Sequence, residues 1–275
     1  MSHNNQKKIA LINDFTGFGR CSIAVAWPII SMLRVQCCPV PTSILSNHTG
    51  FESFFFDDYT DKMEAYIAEW QKLGLTFDGI CTGFIGSMAQ IKIVEQFFEQ
   101  FKRDNNLIIV DPVMGDYGQA YSTYTKEMCE EMKKLVPYAD ILTPNVTEAC
   151  LLTDTPYKDK FRLSEYQMMA EELAAKGPNK VVITGIAQGE FIANYCFVAG
   201  EKPKIVRSHR VGIQRSGTGD IFTSIVAADA VNGVDFYHSV KKASRFVKKC
   251  IQKSLELDIP TTDGVCFEEV LHTLK

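Results

Sequence analysis

The chain has no Cys-x-x-Cys pair, although it carries nine cysteines. That odd number at irregular spacing argues against a disulfide framework and against a zinc cluster, and the thiols read as reduced, the usual state in a cytoplasmic protein. Positive charge is not in excess: 29 Lys and Arg stand against 33 Asp and Glu, a formal net charge of −4. Without clustered basic residues the chain is a poor partner for nucleic acid, whose phosphate backbone demands them. Long apolar runs are also missing. The longest helix-like one, Cys21 to Leu33, is too short and too interrupted to cross a bilayer. Residues Met1 to Lys8 are polar and lack the apolar stretch of a secretory signal. No G-x-x-x-x-G-K-[ST] sequence occurs, which excludes a P-loop nucleotide site, and the protein-kinase motifs are absent too. Gly17-Phe18-Gly19-Arg20 is only part of a dinucleotide fingerprint.

What is present is an alternation of short apolar strands and helices. Strands are expected at Ile9–Ile12, Val35–Leu45, Gly79–Ile85, Leu107–Val110, Asp140–Thr143 and Val181–Thr184. A further pair, Glu190–Val198 and Ile205–Val211, is expected to be antiparallel. Helices are expected at Ser22–Leu33 (kinked or broken at Pro28), Thr60–Leu73, Ile91–Phe101, Lys126–Val136, Val146–Leu152, Leu163–Ala175, Gly219–Val231, Phe236–Ser254 and Phe267–Leu274. With 46% apolar residues the chain can bury a sizeable core. The alternation predicts an α/β fold, a mainly parallel central sheet with helices on both faces, in one domain spanning residues 1–275.

Ligands of such sheets bind beyond the carboxyl ends of the strands, and those ends are crowded with small and polar residues. They include Asn13-Asp14, Ser46-Asn47-His48-Thr49-Gly50, Thr82-Gly83-Phe84, Asp111-Pro112-Val113-Met114-Gly115-Asp116, Thr143-Pro144-Asn145 with Glu148, and Thr184-Gly185. Taken singly, each could be an ordinary turn or helix cap. The sharpest segment is Ser216-Gly217-Thr218-Gly219-Asp220, set before an apolar helix. Small residues there let backbone N–H groups point at an anion, with the positive end of the helix behind them.

Gly217-Thr218-Gly219-Asp220 resembles the G-[AT]-G-D signature of the ribokinase-like superfamily. The S-N-H-T-G and D-P-V-M-G-D segments resemble its pyridoxal kinase branch and the related pyrimidine kinases. The motifs keep the family's order from residue 13 to about 230. The resemblance implies a ribokinase-like three-layer αβα sandwich and ATP-dependent phosphorylation of the hydroxymethyl group of a vitamin B6 ring. It gives Asp220 the role of base, and gives Gly217, Thr218 and Gly219 that of anion hole for the phosphoryl group. It implies that Asp111, Asp116 and Glu148 organise Mg²⁺, directly or through water. ATP phosphates would be met by Asp116, Asn145, Glu148, Thr143 and Thr184, the threonines lying where relatives contact phosphate or a monovalent cation such as K⁺. Asn13, Asp14, Ser43, His48, Thr49 and Phe84 match positions that line the acceptor pocket. Relatives also imply a homodimer and a mobile cover over the nucleotide at Tyr117–Tyr124.

The chain departs from the pattern in places. Many pyridoxal kinases have Tyr at the position of Phe84, and Asn13-Asp14-Phe15 looks partly like a segment of hydroxymethylpyrimidine kinases. Ile213 and Gln214 stand where sugar kinases carry an acidic residue. Hydroxymethylpyrimidine therefore stays open as acceptor, and a non-catalytic ligand sensor on the same fold is a third reading. A structural role for the His48 ring is the alternative to a pocket role. Arg207, Arg210 and Arg215 read as solvated charges at a strand edge.

Overall fold

The computed structural model describes residues 4–274; the first three residues of the polar lead lie outside them. In chain order the elements are β1 (Lys8–Phe18), α1 (Ser22–Met32), β2 (Gln36–Asn47), β3 (Phe56–Asp58), α2 (Thr60–Lys72), β4 (Gly79–Thr82), α3 (Met88–Phe101), β5 (Leu107–Val110), β6 (Gly115–Asp116), β7 (Gln119–Ala120), α4 (Lys126–Met132), β8 (Ile141–Leu142), α5 (Val146–Leu152), α6 (Leu163–Ala175), β9 (Lys180–Gln188), β10 (Phe191–Val198), β11 (Lys204–His209), α7 (Thr218–Val231) and α8 (Phe236–Glu256). Nine strands form one sheet in the order β11-β10-β9-β8-β5-β4-β1-β2-β3. Its centre is parallel, and β3, β10 and β11 run antiparallel at the two ends.

The four-residue apolar strands are legible as two-faced because their side chains alternate. Ala10, Ile12, Ile80, Ile108, Val110, Leu142 and Val181 join a core with α2 to α6. Ile9, Leu11, Cys81, Ile109, Ile141 and Val182 join a second core with α1, α7 and α8. This is a three-layer αβα sandwich, as the alternation of strands and helices predicts. The α7 sequence Ile-Phe-Thr-Ser-Ile-Val-Ala-Ala is apolar or small all round, so the helix is buried on nearly every side. All nine cysteines are free thiols, and eight are buried.

Several elements differ from expectation for physical reasons. The helix α1 runs through Pro28 unbroken. The predicted helix at Lys126–Val136 gives way at Lys133 to a 3-10 turn, Lys133–Tyr138, that accommodates Pro137. The last segment, Glu268–Leu274, is also 3-10 rather than α. Strand β1 is far longer than its apolar stretch suggested, because it carries the buried polar residues Asn13, Asp14 and Thr16 past the core, while β2 runs close to expectation with Thr42 and Ser43 buried within it. The edge strand β3 and the hairpin of β6 and β7 went unforeseen, each being too short to show a period of two.

On the acceptor side the scaffold is held by one buried amide. Gln90 of α3 donates from Nε2 to Thr42 O at 2.7 Å, Thr60 Oγ1 at 2.9 Å and Asp58 Oδ1 at 3.0 Å, and accepts from Gly86 N at 2.7 Å. It ties β2, β3, the start of α2 and the loop after β4 together. Gln90→Leu leaves these groups unpartnered and should cost about 2 kcal/mol. The check is a lower urea midpoint with unchanged denaturant dependence.

Candidate active site

The connections leaving β1 and β4 run in opposite directions along the sheet, since β1 lies between β2 and β4. That is a topological switch point, where a crevice opens at the carboxyl ends. Asn13 stands at this point, 3% exposed. Its Oδ1 accepts from Phe84 N at 2.8 Å and from Asp14 N at 2.9 Å. The polarity of the amide is thereby set, and its Nδ2 donates to Asp220 Oδ1 at 3.3 Å. Gly83 makes room for it: a Cβ there would lie 2.4 Å from the amide.

Asp220 lies in the first turn of α7, and its helix is capped by Gly217 in the left-handed region at φ 85°. A Cβ on Gly217 would lie 2.0 Å from Arg20 O. Gly219 is exposed, and a Cβ there would meet nothing within 4 Å, whereas Gly217 is buried. Thr218 Oγ1 donates to Arg215 O at 3.1 Å and braces the turn. Burial raises the Asp220 pKa, opposed by hydrogen bonds from Ser22 N–H and Asn13. Asp14 is buried beside it. Its carboxylate accepts from Thr16 Oγ1 at 2.6 Å and from the Ser22 hydroxyl, and burial, reinforced by the Asp220 charge, pushes its pKa up to about 6.

The connection from β1 to α1 delivers Ser22 to both carboxylates. It is strained: Arg20 and Ser22 have φ of 47° and 57°, which costs non-glycine residues about 1–3 kcal/mol each. Sequence reading missed Ser22, because no residue type signals a left-handed serine. It missed Thr223 as well, although the three-residue spacing from Asp220 was available as a clue.

A second group of carboxylates lies toward β5 and α5. Asp111 Oδ2 accepts from Thr223 Oγ1 at 2.8 Å, and Thr143 Oγ1 stands 3.1 Å from Thr223 Oγ1. Burial, opposed by Thr223 and Thr143, pushes the Asp111 pKa up to about 7. Glu148 is buried in a capping box: it accepts from Asn145 N at 2.7 Å and Met114 N at 3.2 Å, while Asn145 Oδ1 accepts from Glu148 N at 2.9 Å. Asn145 Nδ2 donates to Gly115 O at 2.8 Å, so the whole Asn145 amide serves the local structure. Burial drives the Glu148 pKa well up, with the Asp111 charge next in importance. Asp116 accepts from Tyr117 N at 2.8 Å and from Gln214 Nε2, and Tyr117 Oη reaches Gln214 Oε1 at 2.8 Å. Thr184 pairs with Asn145 across a single parallel bridge.

Among the described residues no three His, Cys, Asp or Glu side chains converge to hold a metal directly. The donor chemistry still suits a hydrated Mg²⁺: Asp111, Asp116 and Glu148 are mutually repelling oxygen donors, and none forms an ion pair among the described residues.

The remaining expected residues are more scattered. Phe84 is half-buried and packs edge-on against Tyr124, 6.4 Å between centroids. Tyr124, the far end of the expected cover, is itself buried, with its hydroxyl on Ile85 O at 2.8 Å, while Tyr117 and residues 119–123 are exposed. Ser43 is buried with its hydroxyl unpartnered. Thr49 is exposed, and His48 has both ring nitrogens engaged by backbone. Arg207 and Arg210 are exposed as expected, but Arg215 is buried, donating to Pro260 O at 2.9 Å. Its long stem fills space behind the glycine-rich turn, which a sequence count of charges does not reveal.

An αβα sandwich with an aspartate on a glycine-capped helix at the switch point defines the ribokinase-like class of small-molecule kinase folds. Within that class the chain belongs to the phosphomethylpyrimidine kinase family, whose model matches residues 30–262. It is similar to a Bacteroides thetaiotaomicron protein assigned as a phosphomethylpyrimidine kinase. One crystal form of that protein superposes with a TM-score of 0.97 at 38% identity, covering 100% of this chain and 96% of that one. A second form, with pyridoxal, gives 0.95 at 37% identity over 98% and 96%. A pyridoxine/pyridoxal/pyridoxamine kinase of Bordetella avium is 28% identical over 261 residues, 90% of this chain and 86% of that protein. A hydroxymethylpyrimidine/phosphomethylpyrimidine kinase of Haemophilus influenzae is 27% identical over 180 residues, 64% of this chain and 65% of that protein.

The buried Asp14 carboxyl supplies a test that needs no substrate. Between pH 3.8 and about 6 the folded state holds a proton that the unfolded state has lost, so stability falls as pH rises through that window. Asp14→Asn removes the penalty. The variant should gain up to about 3 kcal/mol above pH 6 and nothing below about pH 4, read from thermal unfolding midpoints across pH.

Proposed function

We propose that the protein transfers the γ-phosphoryl group of ATP to the hydroxymethyl group of a vitamin B6 vitamer. The observation that carries this reading is the position of Asp220. It lies in the first turn of a buried helix, next to the exposed Gly219 and within hydrogen-bond reach of Asn13 at the switch point. The Asp220 carboxylate takes the hydroxyl proton as the acceptor oxygen attacks phosphorus, and ADP departs as the bond to the bridging oxygen breaks. A pKa raised by burial makes it a stronger base than an exposed aspartate. The N–H groups of Gly217, Thr218 and Gly219 stabilise the charge that builds on the transferring group.

Asn13, Asp14, Ser43 and Phe84 line the ring side, with His48 and Thr49 on the loop beyond β2. Phe84 offers the aromatic wall, and the Ser43 hydroxyl is unpartnered but fully buried. Asp111, Asp116 and Glu148 would hold Mg²⁺ through its water shell, and the ion would neutralise charge on the ATP phosphates. Thr143, Asn145 and Thr184 stand at that end of the cleft, where the resemblance would place a monovalent cation such as K⁺. The chain acts as one catalytic unit, and a cytoplasmic homodimer is the setting that the resemblance implies.

The pyridoxal complex of the 37%-identical Bacteroides protein and the Bordetella kinase support a B6 acceptor. The family description and the Haemophilus relative support the alternative, phosphorylation of a hydroxymethylpyrimidine. Both rings present the same nucleophile to Asp220.

The deciding assay is ATP consumption with Mg²⁺ and K⁺, offering pyridoxal, pyridoxamine, pyridoxine and hydroxymethylpyrimidine in parallel. Turnover with a B6 vitamer is expected. A strong kcat/KM preference for the pyrimidine replaces this reading with the alternative, and silence with all four in a protein that binds ATP points to a sensor. Asp220→Asn should lower kcat by about 10³-fold while leaving ATP binding largely intact.

A further inference from the structure

The turn Pro260–Gly264, which follows α8, has all five of its carbonyls engaged. Pro260 O accepts from Arg215 Nη1 at 2.9 Å and Asp263 N at 3.1 Å, and Thr261 O from Gly264 N at 3.3 Å. Thr262 O meets His48 Nε2 at 2.7 Å, Asp263 O accepts from Arg20 Nη1 at 3.0 Å, and Gly264 O from Arg215 Nη1 at 3.5 Å. Three side chains from three distant segments therefore converge on five residues of backbone.

His48 has a defined state in this arrangement. Its Nδ1 accepts from Gly50 N at 3.1 Å, which makes Nε2 the protonated nitrogen and the donor to Thr262. Its ring packs on Phe51 at 4.7 Å and on Gly19, where a Cβ would lie 2.3 Å away. No ring nitrogen remains for a substrate. Arg215, 7% exposed and in no ion pair among the described residues, sends Nη1 to two carbonyls of the turn, while its buried Nε has no hydrogen-bond partner.

The turn in turn grips the active-site backbone. Val265 N donates to Ser216 O at 3.2 Å, next to the anion-hole glycines. The Gly19–Arg20 stretch is clasped between two glycines: a Cβ on Gly264 would lie 2.1 Å from Gly19 O, and one on Gly217 2.0 Å from Arg20 O. That stretch begins the strained connection whose Ser22 N–H is aimed at Asp220.

We propose that the Pro260–Gly264 turn is a clamp that positions Asp220, and that His48 and Arg215 are positioning residues acting through it. His48 fastens the acceptor-side loop to the clamp, and Arg215 fastens the approach to the anion hole. This rests on the kinase reading above for its consequence in turnover, and stands apart from it in its structural content.

Two measurements test it. In steady-state kinetics, His48→Ala should lower kcat by about 10- to 100-fold, with the KM for acceptor and for ATP each changed less than about threefold. His48→Gln, whose amide can still donate to Thr262 O, should recover most of the loss. A His48→Ala variant that raises only the acceptor KM and keeps kcat would make His48 a substrate ligand and overturn the proposal. In hydrogen–deuterium exchange of the ligand-free protein, His48→Ala and Arg215→Met should both speed exchange of residues 19–24 and 260–266 by about tenfold, and His48→Gln should not. Unchanged exchange at 19–24 in His48→Ala overturns the clamp. Arg20→Met takes the place of Arg215→Met if that variant does not fold. Failure of the kinase reading shows instead as wild-type silence with every acceptor, and leaves the exchange test intact.

Discussion

The site depends on the carboxamide of Asn13. A single buried side chain at the end of β1 accepts two N–H groups on one side, from Asp14 and from Phe84 across the switch point, and presents its own N–H to Asp220 on the other. Because both acceptor contacts fall on Oδ1, the group facing Asp220 must be the donor. A donor favours the charged form of the aspartate, the form a base requires. The same contacts bring the β1 and β4 ends together, which is why the residue beside it is Gly83 and not a larger one. The crevice, its acceptor wall at Phe84 and the orientation of Asp220 all follow from that junction.

Around this junction the site is built with negative charge and almost no positive charge. Burial raises the pKa of Asp14, Asp111, Glu148 and Asp220 alike, and the buried arginine of the region turns its guanidinium to backbone carbonyls. On the proposed reading, a protein of net charge −4 that receives ATP would rely on fixed dipoles and on cations that travel with the substrate. The glycine-rich start of α7 supplies the dipole. The carboxylates near β5 and α5 need a cation before they can approach phosphate. This division is physically economical: hydroxyl donors from Thr16, Ser22, Thr143 and Thr223 keep the carboxylates ordered without neutralising them.

The order of elements, the parallel sheet and the position of Asp220 were legible because they rest on local signals: four-residue apolar runs, their alternation with helices, and glycines before an apolar helix. The polar ends of β1 and β2 were not. Asn13, Asp14, Ser46 and Asn47 read as residues beyond the strand ends, yet β1 and β2 run on through them side by side. Arg215 looked like surface charge, since sequence cannot show a guanidinium finding carbonyls some 45 residues away. The rings of His48 and Phe84 were placed near the acceptor by resemblance, and only the folded chain separates them. Phe84 presents an aromatic wall, while both nitrogens of His48 are committed to Gly50 and Thr262.

That separation bears on how one scaffold serves two related acceptors. The phosphoryl side is made of backbone N–H groups and carboxylates that meet the same atoms in every reaction of the class. The acceptor side is made of side chains on β1, on β2 and after β4. On the proposed reading, ring selectivity would draw on the Phe84 face and exposed Thr49, while the Ser43 hydroxyl is unpartnered but fully buried. A buried hydroxyl without a partner carries a desolvation cost of about 1–3 kcal/mol. Ser43 is 0% exposed, so no acceptor meets that hydroxyl unless the strands around it move. On that reading, the half-buried Phe84 ring and exposed Thr49 are left as the groups through which a pyridine and a pyrimidine would be told apart, away from Asp220.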